Sequence, residues 1–251
     1  MDKIRSLQNF DVLLLSAGIG SRLKKFRIPK SLIKIENITI LDLIINKLLK
    51  YNIKNIFVVV GYKNHLIKKE LKKFKNLKIH FLYNKNYKNY GSGYSWYLYL
   101  KKFLKRKKPI LMLHTDILFH DQYLKSITNS PKKNIISTTV FNKKNTNPLS
   151  LIAKFNSKKK ISAINYQKKL PRIPNEIACI NKFSHKMLRN FFFYMRAYFQ
   201  KSTINKKKTW ELIINDFIID DTQEVYSVCS KKKWVNVNTN KDYNKARKLF
   251  C

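Results

Sequence analysis

A short apolar run, Val12-Leu13-Leu14-Leu15, passes directly into Ser16-Ala17-Gly18-Ile19-Gly20-Ser21-Arg22, and the segment closes at Pro29-Lys30-Ser31-Leu32. A strand that ends in such a turn leads into a helical turn, with the glycine loop at the carboxyl end of the strand. Gly18 and Gly20 lack a Cβ, so the backbone can take positive φ and approach a ligand closely. Successive N–H groups in such a turn form an anion-binding nest. Arg22 adds a planar, permanently charged fork suited to phosphate oxygens, and Lys30 adds a compact point charge. Strand, glycine turn, Arg and Pro-Lys together make a layout for holding a nucleoside triphosphate by its phosphates. Two commoner glycine motifs are excluded. A P-loop ends in Gly-Lys-Ser/Thr, whereas this loop ends in Gly-Ser-Arg, and the dinucleotide fingerprint needs a glycine where Leu23 stands. A Gly-x-Gly turn is also an ordinary tight βα connection; Arg22 and Pro29-Lys30 set this one apart.

The flanking sequence extends the same pattern. Apolar, β-branched or alternating runs predict strands over 11–15, 55–60, 78–83 and 110–114, with two short strands over 32–40 around Glu36-Asn37. Helical spacing predicts helices over 41–51, 63–74, 92–104 and 120–128. Leu41, Ile44, Ile45, Leu48 and Leu49 share one face of the first. This is βαβ repetition, and it implies an α/β fold: a Rossmann-like, mostly parallel sheet flanked by helices. The second half reads differently. Strands over 134–141, 150–155 and 161–167 have no helices between them and suggest a small antiparallel extension. Helices over 184–200 and 209–219, strands over 224–229 and 233–237, and a helix over 241–250 complete the chain. With 251 residues, 44% of them hydrophobic, the chain is read as one domain. Its nucleotide-binding half covers about 1–130 and its acceptor-binding part about 131–251.

Charge and cysteines narrow the function classes. The formal net charge of +39 ordinarily points to nucleic acid or an anionic surface. Here lysine far outnumbers arginine and is spread along the chain, with Ile and Asn also abundant, as an AT-rich genome produces. Lys69, Lys72, Lys73 and Lys75 read as a solvated helix face, so nucleic acid is not the expected primary partner. No apolar run reaches the length of a membrane span. The amino terminus does not read as a signal peptide. Cys179, Cys229 and Cys251 lie far apart and read as reduced thiols, which suits a cytoplasmic protein.

Further segments fall in a telling order. Val58-Val59-Val60-Gly61-Tyr62-Lys63 ends the second strand and carries Gly-Tyr-Lys just beyond it. The stretch 84–95 carries Gly91-Ser92 in a turn and Ser95 in the helix that it opens. Leu113-His114-Thr115-Asp116 ends the fourth strand, and Trp234-Val235-Asn236-Val237-Asn238-Thr239 precedes Asp242-Tyr243. With the glycine loop, these segments resemble the nucleotidyltransferases that activate sugar phosphates and alcohol phosphates, above all the choline-phosphate cytidylyltransferase-like branch. The resemblance runs from about 11 to 249.

That resemblance implies transfer of a nucleotidyl group, most readily CMP from CTP, to a small phosphorylated headgroup of the phosphocholine type, with release of pyrophosphate. It implies Arg22 and Lys30 as the catalytic cations. Leu15, Ala17, Gly18, Gly20, Ser21, Arg22, Lys30, Gly91 and Ser92 would hold the nucleotide. Asp116 would hold Mg²⁺, and Trp210 and Glu211 would border the acceptor. Surface-polysaccharide biosynthesis is the implied setting. His65, His80, His114, His120 and His185 form no ligand spacing and receive no catalytic role. One departure stands out: the family places an acidic residue where Asn238 stands, and Asn236 replaces the usual glutamate. An amide oxygen brings no charge to a hard cation. Three consequences stay open. Asp116 suffices beside the triphosphate oxygens; Asp220 or Asp221 takes the second metal position; or the chain is a nucleotide-binding relative with a degenerate metal site. A sugar-1-phosphate nucleotidyltransferase using UTP, dTTP or GTP is the alternative enzyme reading.

Overall fold

The structure is a computed structural model that describes residues 7–23, 26–140, 150–166, 175–220 and 223–250. The readings that touch Phe141, Gln167, Asp221 and Cys251 lie outside these residues. At the centre is β1 (Asp11–Ser16), buried along its whole length. Both of its faces are covered, which is why it reads as a continuous apolar run rather than an alternating one. It pairs in parallel with β4 (Asn55–Val60) on one side and β6 (Ile110–His114) on the other. Beyond β4 lies β5 (Lys78–Tyr83), also parallel. The connecting hairpin is β2 (Lys34–Ile35) with β3 (Ile38–Thr39), turned at Glu36, whose φ is +54°. Next comes α1 (Ile40–Leu49), capped by Thr39, whose hydroxyl accepts the Asp42 N–H at 3.1 Å. α2 (Asn64–Leu71) joins β4 to β5, and α3 (Ser92–Phe103) joins β5 to β6.

This order positions the site. The chain steps outward from β1 to β4 to β5, then returns to the far side of β1 as β6. In an open α/β sheet, ligands bind beyond the strand carboxyl ends at such a reversal. Leu15 on β1 lies opposite His114 on β6 in register, so the glycine loop and the segment carrying Asp116 leave the sheet side by side.

The remainder builds onto the same sheet. After β7 (Ile117–Phe119) and α4 (Gln122–Asn129) come β8 (Ile135–Val140), β9 (Leu151–Phe155), β10 (Ile161–Tyr166) and β11 (Asn175–Phe183). β11 runs antiparallel to β6 and also pairs with β8 and β9, so the antiparallel extension continues the main sheet. β12 (Tyr226–Ser230) adds to β8 in parallel. α5 (His185–Lys201) and α6 (Trp210–Asp220) pack on α3 through Trp96, Phe191, Trp210 and Phe217. β13 (Trp234–Asn236) pairs with β7, and α7 (Asn240–Phe250) follows.

Two strands were not expected from the sequence. β11 is interrupted by a bulge between Ile177 and Asn181, where Cys179 takes φ +58°, and this breaks the period-two pattern. β7 is only three residues long. No helix among the described residues is long and apolar enough to cross a membrane.

Candidate active site

The glycine loop leaves β1 and folds over Lys30. Gly20 has φ +72°, and a Cβ there would lie 2.7 Å from Cγ of Lys30, so the loop can rest on the lysine stem only with glycine at this position. Lys30 itself sits in a single 3₁₀ turn introduced by Pro29. Across the crevice, Thr115 is tied to β1 by its hydroxyl, which donates to the Leu15 carbonyl at 3.0 Å. That fixes the next residue, Asp116. Lys30 Nζ reaches Asp116 Oδ2 at 2.8 Å and Asn238 Oδ1 at 2.5 Å.

Asn238 is held by a capping arrangement at α7. The Asp242 carboxylate accepts the N–H groups of Asn238 and Thr239, and the Thr239 hydroxyl accepts the Asp242 N–H in return. The Val237 N–H donates to the Asp116 carbonyl at 2.8 Å, which binds this segment to β6 and β7. Burial pushes the Asp116 carboxyl up, but the Lys30 ammonium and His114 outweigh it and hold the group below the usual carboxylate range.

Two cavities meet here. The first, about 270 Å³, is lined by every residue that the motifs assigned to the nucleotide. Gly91 and Ser92 close its far side. The Gly91 N–H donates to the Lys206 carbonyl, and the Ser92 hydroxyl accepts the Trp210 N–H at 3.1 Å. Asn84 donates to the Ser95 hydroxyl at 3.0 Å and so locks the end of β5 to α3. The second cavity, about 390 Å³, contains Glu176, Cys179, Glu211, Trp234, Asn236 and Asn238. Arg22, Lys30, His114 and Asp116 line both cavities.

The oxygen donors fit a hard cation. Oδ1 of Asp116 and Oδ1 of Asn236 are buried and have no hydrogen-bond partner, and Asn238 adds another oxygen on the same cavity wall. The set is all oxygen, as Mg²⁺ requires, but it carries a single negative charge.

Three placements differ from the sequence reading. Trp210 does not face the second cavity as an aromatic wall. It is fully buried against Trp96, and its indole N–H donates to His114 Nε2 at 2.7 Å. His114, given no role from spacing, stands at the junction of the two cavities; its proximity to Asp116 in sequence was the available signal. Asp220 lies in a separate groove between α5 and α6, where its carboxylate accepts the Tyr194 hydroxyl at 3.0 Å. Asp221 lies outside the described residues. Glu211 does reach the second cavity, where burial raises its carboxyl above the ordinary glutamate range. Glu176, which no sequence motif marks, is raised for the same reason.

The fold is that of the nucleotidyltransferases, as the resemblance implied. It superposes on the CTP:phosphocholine cytidylyltransferase LicC from Streptococcus pneumoniae with a TM-score of 0.78, covering 97% of this chain and 100% of that one at 16% identity. The inositol-1-phosphate CTP transferase from T. maritima gives a TM-score of 0.78, covering 97% and 96% of the two chains at 16% identity. A CTP:phosphoglutamine cytidylyltransferase from Campylobacter jejuni is 26% identical over 128 residues. That match spans 49% of this chain and about half of the relative's length (50%). The family model described as a domain of unknown function, DUF6564, matches residues 30–250, and the chain belongs to that family. The matched span starts at Lys30, just past the glycine loop.

Proposed function

We propose that this protein is a magnesium-dependent nucleotidyltransferase that moves CMP from CTP to a small phosphate monoester and releases pyrophosphate. The observation that carries this reading is the junction of two cavities at Arg22, Lys30 and Asp116. A nucleotide in the first cavity and a phosphorylated acceptor in the second would meet across it. The named cytidylyltransferase relatives support CTP as the donor.

The reaction asks little of acid–base chemistry. The acceptor phosphate is already anionic and attacks the α-phosphorus, while the bond to pyrophosphate breaks. Alignment and neutralisation of charge are the protein's tasks. In this reading Arg22 and the loop N–H groups hold the β- and γ-phosphates. Lys30 neutralises the α-phosphate and the incoming phosphate. Backbone at Leu15, Ala17, Gly91 and Ser92 lies along the base. Asp116, aided by Asn238 and Asn236, would hold Mg²⁺, which when bound neutralises charge on the phosphate oxygens. Glu211 and Glu176 give the second cavity an acidic wall in a chain that is strongly basic overall. An acceptor with a cationic end, such as an aminoalkyl phosphate, suits that wall.

The test is pyrophosphate release with Mg²⁺, comparing CTP, UTP, dTTP, ATP and GTP against phosphocholine, phosphoethanolamine and several sugar 1-phosphates. Release that depends on CTP and an amine-bearing phosphate is the expected result. Release with another nucleotide and a sugar 1-phosphate would replace the reading by the sugar-phosphate one. Nucleotide binding without release by any pair would point to a degenerate metal site, and Asn238→Asp would then restore turnover.

A further inference from the structure

Three side chains of different chemistry meet on the wall of the second cavity: His114, Cys179 and Glu211. His114 Nε2 is 3.8 Å from Glu211 Oε1, Cys179 Sγ is 3.9 Å from the same oxygen, and the ligand atoms all lie within 4.8 Å of one another. At ordinary zinc–nitrogen, zinc–oxygen and zinc–sulfur bond lengths, tetrahedral ligands sit about 3.3–3.6 Å apart, so modest side-chain adjustment would close the set.

Two further observations point the same way. Glu211 is 3% exposed, and its Oε2 has no hydrogen-bond partner although the residue borders the cavity. Cys179 is held at φ +58° by the bulge in β11, in a region that residues other than glycine rarely occupy. A bulge of this kind re-aims a side chain, and this one belongs to the cavity lining.

We propose that His114, Cys179 and Glu211 form a second cation site, for one thiophilic divalent ion of the zinc type, separate from the all-oxygen set at Asp116. The thiol gives its proton to solvent as the sulfur–metal bond forms. A sulfur ligand selects against Mg²⁺. The fourth position opens to the cavity. The ion takes the Nε2 lone pair that now accepts the Trp210 indole. Binding therefore turns the imidazole away from Trp210 and leaves a buried indole N–H without its acceptor, a cost that the thiolate–metal bond must offset. On the transfer reading given above, an ion here neutralises Glu211 and competes with the cationic end of the acceptor.

The test is titration of the full chain with Co²⁺ as a zinc surrogate, in excess Mg²⁺ and without nucleotide, so the result does not depend on turnover. One equivalent is expected to bind with a thiolate-to-cobalt band in the near ultraviolet. Cys179→Ser should abolish that band and weaken Zn²⁺ binding by about a hundredfold or more. Glu211→Gln, a milder change, should keep the band but weaken binding, and Cys229→Ser should change nothing. Absence of the band at one equivalent, or a band that survives Cys179→Ser, would overturn the proposal.

Discussion

Lys30 stands where three contacts meet: its stem lies under Gly20, and its ammonium touches both Asp116 and Asn238. Lys30→Met should therefore lower kcat by about a hundred- to a thousandfold, the usual scale for losing one preorganised charge at a developing phosphate charge. Circular dichroism should show the fold retained. Gly20→Ala acts on the same point from the other side. It forces a side chain into positive φ and against the lysine stem, so nucleotide affinity should fall and the melting temperature should drop by about 2–4 °C. A calorimetric titration with CTP checks this. Asn238 sets the charge of the metal position. Asn238→Asp should raise the Mn²⁺ affinity of the nucleotide-free protein, read by electron paramagnetic resonance. Unchanged affinity would remove Asn238 from the metal position. Glu211 gives a pH signature. Its carboxyl is raised by burial, so between the ordinary glutamate value and the folded value the native state keeps a proton that the unfolded chain has released. Stability therefore falls as pH rises through that window. Glu211→Gln should melt higher than the wild type at alkaline pH and match it at acid pH.

At the scale of elements, one ion pair fixes the entry to the sheet. Asp11 is fully buried at the start of β1, and Arg106 holds it with Nε at 2.5 Å and a second nitrogen at 2.9 Å. Arg106 is partly exposed and the Tyr99 hydroxyl also reaches Asp11, so Arg106→Met should cost about 1–3 kcal/mol in urea unfolding. The cap Ser184, whose hydroxyl accepts the Met187 N–H, is worth less: Ser184→Ala should cost about 1 kcal/mol. The same elements show what the sequence disclosed. β1, β4 and β6 are buried on both faces, so their apolar runs were readable. α1 and α5 carry both apolar spacing and a hydroxyl cap. β11 was hidden because its bulge breaks the alternation and its central residue is a cysteine in a left-handed conformation. Apolar spacing puts Trp210 in the helix over 209–219, but sequence does not say which way its indole turns. That turn is set by Trp96 and His114, which come from distant parts of the chain. His114 carried no spacing signal, because its partners in the site meet only through the fold.

For the whole molecule, the chain reversal between β5 and β6 places the glycine loop and Asp116 side by side beyond the carboxyl ends of β1 and β6, and the Val237 N–H bond to the Asp116 carbonyl brings the Asn236–Asn238 segment to the same place. The large positive charge is carried mostly by exposed lysines, while the second cavity gathers carboxylates. The central claim is that a phosphate oxygen of the acceptor attacks the α-phosphorus of the nucleotide across the junction of the two cavities. The most direct test is turnover of CTP with an acceptor whose phosphate carries heavy oxygen, followed by mass spectrometry and phosphorus NMR of the products. Heavy oxygen in the bridge of a new diphosphate, with unlabelled pyrophosphate released, is the predicted result. Label in the pyrophosphate, or hydrolysis of CTP without a coupled product, would contradict it.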